Sequence, residues 1–384
     1  MEAKQPRDVY SLEHELFRET VRKFFREEVD PYYREWEKDG YPRELFKTAG
    51  KYGILQAGIP EEYGGMGGDF IHHAILHEEQ GYSVGGAALG SGFGIDGSSY
   101  LIFEGGTEEQ KREYLPRYAT GELVAEVCFT EPHSGSDLGA IKTMSRRDGD
   151  DYLLNGSKTW VSGGIHCDMF PVFTKIELDD GKVGMALVLI EPDMPGVTVS
   201  KRIETSHKSA AIEAEVFFDD VRFPKSKILG GDPSGAFKRV MSCLVNQRVA
   251  EAARFLASSE YAFDLTVEFT QSRQAFGQTV FDFQNTQFAL ADMLTQIRTL
   301  RPFVDNCLIK ARDGTLTNLD SSMAKLSASE VEWKVMDQAL QLHGGMGFAH
   351  DMPISMLWSM ARVHRVYLGT SEIQRVTIAK SITK

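Results

Sequence analysis

Four stretches of the chain combine residue types that could do chemistry. In CFTEPHSGSDLGAIKT, residues 128–143, Thr130, Ser134 and Ser136 are interleaved with Gly135 and Gly139. Small hydroxyl and glycine residues let backbone amides approach an anion or a flat ring, as a cofactor with a pyrophosphate requires. A Ser/Gly-rich surface loop has the same composition. In NGSKTWVSGG an Asn-Gly turn at Asn155 and Gly156 opens a strand that delivers Trp160 beside Ser162, Gly163 and Gly164. The indole there could cover one face of an isoalloxazine while the hydroxyl bonds its polar edge, or it could simply fill a core. In SRQAFGQTVFDFQNTQF, Arg273 and Phe276 lie a helical turn apart and Gln284 follows two turns later. That spacing offers a guanidinium to a phosphate and a ring to an adenine, or else a solvated arginine on an amphipathic helix. The glycine-rich break QLHGGMGFAHDMP precedes RVHRVYLGTSEIQR, where Gly369, Thr370 and Ser371 form a polar turn. Leu368, which leads into that turn, can neither give nor take a proton.

Metal chemistry has one weak signal: His73 and His77 stand at i, i+4 with Glu78 adjacent. The order is not that of a zinc-hydrolase helix, and these histidines are expected to face solvent or neighbouring side chains. Four isolated cysteines, Cys128, Cys167, Cys243 and Cys307, form no CxxC pair and fit reduced thiols in a cytosol. A net charge of -13 over 384 residues argues against nucleic-acid or anionic-membrane surfaces. The opening residues lack the pattern of a secretory signal or transit peptide, and no apolar run is long enough to span a bilayer. A cytoplasmic protein without membrane insertion is the expectation.

These groups need a scaffold, and the periodicity supplies one in three parts. Apolar residues recur at helical spacing from Ser11 to about Tyr118, and Leu12, Leu16, Val21, Phe24 and Phe25 are expected to share one stripe. The five glycines of GIPEEYGGMGG predict an irregular loop. Short β-rich runs separated by Asn-Gly, Asp-Gly and Pro-Gly follow, predicting an antiparallel sheet. Helical periodicity then returns, with a break at ARDGTLTN. The expected domains are residues 1–121, 122–231 and 232–384, mainly α with a β middle domain.

Taken together and in order, FTEPHSGSD, LNGSKTWVSGG, SRQAFGQ with FQNTQF, and QLHGGMGF through GTSEIQR resemble the acyl-CoA dehydrogenase family over nearly the whole chain. The resemblance implies a helical N-terminal domain, an antiparallel β-barrel-like domain and a C-terminal four-helix bundle, assembled as a homotetramer around FAD. It implies Phe129, Thr130, Ser136, Trp160 and Ser162 around the flavin and its pyrophosphate. Arg273, Phe276, Gln284, Gln341, Gly344 and Gly345 would hold the adenosine half, the arginine reaching into a neighbouring subunit. Thr370 and Glu372 would complete the flavin pocket. Members oxidise acyl-CoA thioesters by giving an α proton to a glutamate and a β hydride to the flavin, and pass electrons to an electron-transferring flavoprotein.

The family seats that glutamate either just before the Gly-Thr of the last motif or just before an arginine early in a C-terminal helix. Here those positions hold Leu368 and Gln247, the latter followed by Arg248. Glutamine bonds but does not act as a base near neutral pH. Glu251, one turn beyond Gln247, is one substitute. Asp96, in GSGFGIDGSSYLIFEGG on the segment that lines the acyl pocket in relatives, is another, although Asp is also a favoured helix cap. The pattern resembles the cyclohex-1-ene-1-carboxyl-CoA dehydrogenase branch, in which an aspartate removes a ring proton in a 1,4-elimination. Ordinary α,β-dehydrogenation with a substitute base, a desulfinase-type lyase and an inert FAD-binding subunit are the alternatives. The lyase would want a pocket arginine, and residues 84–97 contain none. Ser359 and Met360 stand where the family has an Arg-Asp pair, and SHKSAAIEAEV departs from the usual glycine-containing pattern.

Overall fold

The computed structural model describes residues 7–93, 97–200, 202–207, 209–233 and 235–383. Asp96 therefore lies outside the described residues. The first helices are Leu12–Phe24 (α1), Tyr33–Asp39 (α2), Glu44–Lys51 (α3), Phe70–Gly81 (α4), Val84–Leu89 (α5), Gly97–Gly105 (α6) and Glu108–Ala119 (α7). They begin where the sequence offers caps. Ser11 with His14, Asp69 with His72 and Thr107 with Gln110 form reciprocal capping boxes that satisfy otherwise orphaned amides. The glycine-rich loop holds a single short helical turn, Glu61–Tyr63. A Cβ on its Gly65 would come within 2.1 Å of the Ile59 carbonyl, so the loop closes only around glycine.

The apolar stripe expected on α1 is displaced. Val21, Phe24 and Phe25 are buried, but Leu12 and Leu16 are exposed. His14 and Arg18 take the inner face instead, because they meet acids there: His14 Nε2 lies 3.1 Å from the half-buried Asp69 and Arg18 bonds the buried Glu78 and Glu79. His72, His73 and His77 are likewise buried rather than turned to solvent.

Six strands form one sheet: Met144–Asp148 (β1), Asp151–Ser162 (β2), Phe170–Glu177 (β3), Val183–Ile190 (β4), Val197–Val199 (β5) and Glu213–Pro224 (β6), in the order β4-β3-β1-β2-β6-β5. The all-antiparallel expectation needs one correction, since β1 and β3 run parallel. The chain leaves β1 by a tight hairpin into β2, then crosses back to lay β3 on the far edge of β1, which reverses the direction twice.

Three long helices, Ala236–Ser272 (α8), Gln284–Arg312 (α9) and Asn318–His343 (α10), then pack with Pro353–Ala361 (α11) and Ser371–Ile382 (α12). A two-residue hairpin, Gln274–Ala275 (β7) with Gln278–Thr279 (β8), joins α8 to α9. α4 lies along α8 and joins the two helical parts. Met360, in place of a charged residue, packs in an apolar cluster with Val84 and Ala88 of α5. No helix among the described residues is long and apolar enough to cross a membrane.

Candidate active site

Trp160 stands near the end of β2 with φ of +60° and 55% of its surface exposed. A left-handed backbone at a bulky residue costs free energy, and the exposed indole recovers little of it by packing within the chain. Phe276 repeats the pattern in the turn between β7 and β8, with φ of +51° and 98% exposure. The structure gathers Arg273, Phe276 and Gln284 at that hairpin and the start of α9, all exposed. Gln341, Gly344 and Gly345 close α10 and are exposed as well.

The hydroxyl-rich loop is anchored by a residue that the sequence reading passed over. Glu131 is buried, and its carboxylate accepts from the amides of Lys142 and Thr143 at 2.7 and 3.0 Å and from Lys158 Nζ at 2.8 Å. Burial pushes its pKa up, but the bonds from Lys158, Thr143 and Lys142 more than offset this and hold it down at about 2. Ser136 is left exposed on the anchored loop, while Phe129 and Thr130 are half-buried beside it. An exposed indole, a pinned loop of small residues and a second exposed ring with an arginine fit the ring, diphosphate and adenine of FAD.

Ser162 is turned away from solvent and donates to Glu213 Oε2 at 2.8 Å. Glu213 and a second acid, Glu126, are surrounded by protein yet keep part of their surface accessible. Burial pushes both carboxyls up, Glu126 far up with Glu213 adding to it. No spacing signal could have paired them, since Glu126 lies in the loop before β1 and Glu213 begins β6. A raised carboxyl pKa stabilises the fold fully below the unfolded value of about 4.5, and that stability is lost as pH rises through the folded value. Glu126→Gln is therefore expected to unfold at higher urea than the wild type at pH 8, by ~1–3 kcal/mol, with the gap closing at pH 4.5. Equal midpoints at pH 8 would remove Glu126 from this account.

Of the two positions considered for a base, Gln247 lies on α8 and Leu368 in the turn before α12, and Arg248 joins the two elements. Leu368 has φ of +52° and is half-buried. Its carbonyl accepts from Arg248 Nε at 3.3 Å and Gln374 Nε2 at 2.9 Å, and the Gly369 carbonyl accepts from Lys325 Nζ at 3.0 Å. Burial lowers Lys325 to about 8. Thr370 caps α12 by accepting from the Ile373 amide, and Glu372 lies exposed in its first turn. Gln247 lines a cavity with His73, Tyr100 and Glu104.

Glu251 is fully engaged elsewhere. Arg254 Nη2 lies 3.0 Å away, Tyr367 donates at 2.6 Å and His77 Nδ1 is at 3.4 Å. Burial alone would raise its pKa, but Arg254, His77 and Tyr367 hold it well below the usual carboxylate range. Its oxygens are thus occupied by an ion pair and a hydrogen bond. The metal-like grouping among the described residues is His14, Asp69 and His72, not His73 and His77. Both ring nitrogens of His14 and Nδ1 of His72 are already committed to the caps of α1 and α4 and to Asp69.

Profiles described as the acyl-CoA dehydrogenase N-terminal, middle and C-terminal domains match residues 11–122, 127–221 and 236–383. The chain belongs to the acyl-CoA dehydrogenase family. With this fold and site it is a flavin oxidoreductase acting on a CH–CH group, with FAD as its cofactor. It is 39% identical over 381 residues to the long-chain specific acyl-CoA dehydrogenase of Rattus norvegicus mitochondria, covering 98% of this chain and 88% of that one. An acyl-CoA dehydrogenase from Geobacillus kaustophilus superposes with a TM-score of 0.93 at 35% identity, covering 99% and 100% of the two chains. A Mycobacterium smegmatis glutaryl-CoA dehydrogenase in complex with FADH2 gives 0.89 at 27% identity, covering 98% and 95%.

Proposed function

We propose that this chain carries out 1,4-dehydrogenation of a cyclic enoyl-CoA such as cyclohex-1-ene-1-carboxyl-CoA, as a homotetramer that passes electrons to an electron-transferring flavoprotein. The observation that carries this reading is that neither family seat holds a carboxylate: Gln247 and Leu368 occupy the two seats, and Glu251 is engaged by Arg254. Bound FAD supplies the hydride acceptor. The chain's own part is to hold the thioester, to keep its α side without a proton acceptor, and to place a carboxylate against a more remote carbon. Conjugation through the double bond makes that remote proton acidic, and removing it requires only a positioned base. Asp96 is the proposed base, because it directly precedes α6, which lines the same cavity as Gln247.

The test is a substrate panel. The purified protein is expected to be yellow, and cyclohex-1-ene-1-carboxyl-CoA is expected to bleach it anaerobically to a cyclic diene product identified by mass. Straight saturated acyl-CoAs should bleach it roughly 100-fold more slowly or worse. Rapid bleaching by butyryl-CoA or a long-chain acyl-CoA would return the protein to the ordinary α,β reaction.

A further inference from the structure

The pairing of β2 with β6 is interrupted between Lys158 and Val161 and resumes at Val161 with Ala214 and Ser162 with Glu213. Trp160 falls in that interruption, where leaving the ladder turns its side chain outward. Just beyond it, Ser162 and Glu213 stand directly opposite each other, so their side chains share one face of the sheet. The two oxygens, Ser162 Oγ and Glu213 Oε2, lie 2.8 Å apart. Two residues of strand, roughly 7 Å, separate this pair from the indole, less than the length of a tricyclic ring system.

The charged and titratable groups that face Glu213 among the described residues are Glu126, Arg202 between β5 and β6, and Tyr41 just after α2. Arg202 donates to the carbonyls of Glu37, Lys38 and Ser209. Burial raises Glu213 above the usual carboxyl value, with Ser162 and Arg202 holding the rise in check, and raises Glu126 further. Glu213 is therefore the first of the two acids to ionise as pH rises.

We propose that Glu213 is a positioning residue for the flavin: through Ser162 it sets whether a hydroxyl proton is offered to the ring. The inference rests on the placement of Ser162 at the polar edge of the flavin, not on the identity of the acyl group. A hydroxyl carries one proton, and two oxygens 2.8 Å apart can exchange the roles of donor and acceptor without moving. With its proton in place, Glu213 donates to Ser162, whose own O–H is then directed to the ring. Once Glu213 has released that proton to solvent, Ser162 donates to the carboxylate and presents only lone pairs. The new negative charge beside a ring that gains electrons acts in the same direction. The flavin thus becomes harder to reduce as pH rises through the ionisation of Glu213.

The midpoint potential of the FAD-loaded protein is measured against reference dyes between pH 4.5 and pH 8. No acyl-CoA is present, so the result is independent of the proposed reaction. Glu213→Gln keeps a donor to Ser162 and carries no charge, as the protonated acid does. At pH 8 and a fixed applied potential its ratio of reduced to oxidised flavin should exceed the wild type's about tenfold, ~30 mV for a two-electron couple, and the difference should close toward pH 4.5. Ser162→Ala should give the mirror image: roughly threefold or more below the wild type at pH 4.5, where the hydroxyl serves the ring, and equal to it at pH 8. Glu126→Gln should keep the wild-type pattern. Agreement of Glu213→Gln with the wild type at pH 8 overturns the inference, and so does a Ser162→Ala difference that is the same at both pH values. The Ser162→Ala result decides alone if Glu213→Gln fails to hold FAD. A rise at pH 8 in Glu126→Gln but not in Glu213→Gln assigns the ionisation to Glu126 and also overturns it. If neither Ser162→Ala nor Glu213→Gln moves the potential or the flavin absorbance bands, the placement of Ser162 at the ring falls with the inference.

Discussion

Gln247→Glu is expected to accelerate anaerobic bleaching of the flavin by butyryl-CoA by roughly 10²–10⁴-fold, the contribution of a positioned general base. Gln247 and glutamate are near-isosteres, so the substitution adds an ionisable oxygen without reshaping the cavity that position 247 lines. Leu368→Glu tests the second seat. There the main chain already has the left-handed φ, and Arg248 and Lys325 lie against the turn as cations that offset a new negative charge. Asp96→Asn is the reciprocal change and should slow bleaching by cyclohex-1-ene-1-carboxyl-CoA by a comparable factor. Stopped-flow absorbance at the flavin band measures all three. If neither gain-of-base variant reduces flavin with butyryl-CoA, position 247 does not face the α carbon. If Asp96→Asn keeps the wild-type rate, Asp96 is not the base.

Glu78→Ala should destabilise the protein by ~3–5 kcal/mol, seen as a fall in the guanidinium unfolding midpoint. Glu78 is 2% exposed and accepts from Arg7 at 2.9 Å, Arg18 at 3.0 Å, Arg301 at 3.1 Å and Tyr10 at 2.6 Å. Arg7 also pairs with Asp305. These bonds join the start of the chain, α1, α4 and α9 at one carboxylate. Burial would raise its pKa, but Arg7, Arg18 and Arg301 hold it well below the usual range, so it is charged at any ordinary pH. Removing it leaves buried guanidinium groups without their main counter-charge. Glu78→Gln should cost nearly as much, because it keeps the shape and loses the charge, whereas exposed Glu13→Ala should stay within about 0.5 kcal/mol. A small effect from both Glu78 variants would show that Glu79, Glu260 and Asp305 suffice.

The helix, sheet, helix order was legible because apolar period and turn residues are local signals; the Asn-Gly turn expected at Asn155 and Gly156 is not there, since both lie inside β2 at a register shift against β6 and the hairpin falls earlier, between Asp148 and Asp151. Other features depend on distant partners. Glu131 and Lys158 read as two ordinary charges until the fold buries them 2.8 Å apart. Glu126 and Glu213 carry no spacing cue, and the inner face of α1 was misread because Arg18 and His14 are polar by type but paired by tertiary contact. The parallel pairing of β1 with β3 follows from where the chain crosses, which periodicity does not encode. That positions 247 and 368 carry no carboxylate was visible from residue identity alone; that Arg254, His77 and Tyr367 surround Glu251 was not.

The left-handed shape of the turn at Leu368 is imposed by Arg248, Lys325 and Gln374 bonding to main-chain carbonyls, which every residue possesses. The main-chain bonds therefore form whatever unbranched side chain stands there, although the positive φ disfavours a β-branched one. Exchange of Leu368 for an unbranched acid would thus change what the turn presents without changing the bonds that shape it.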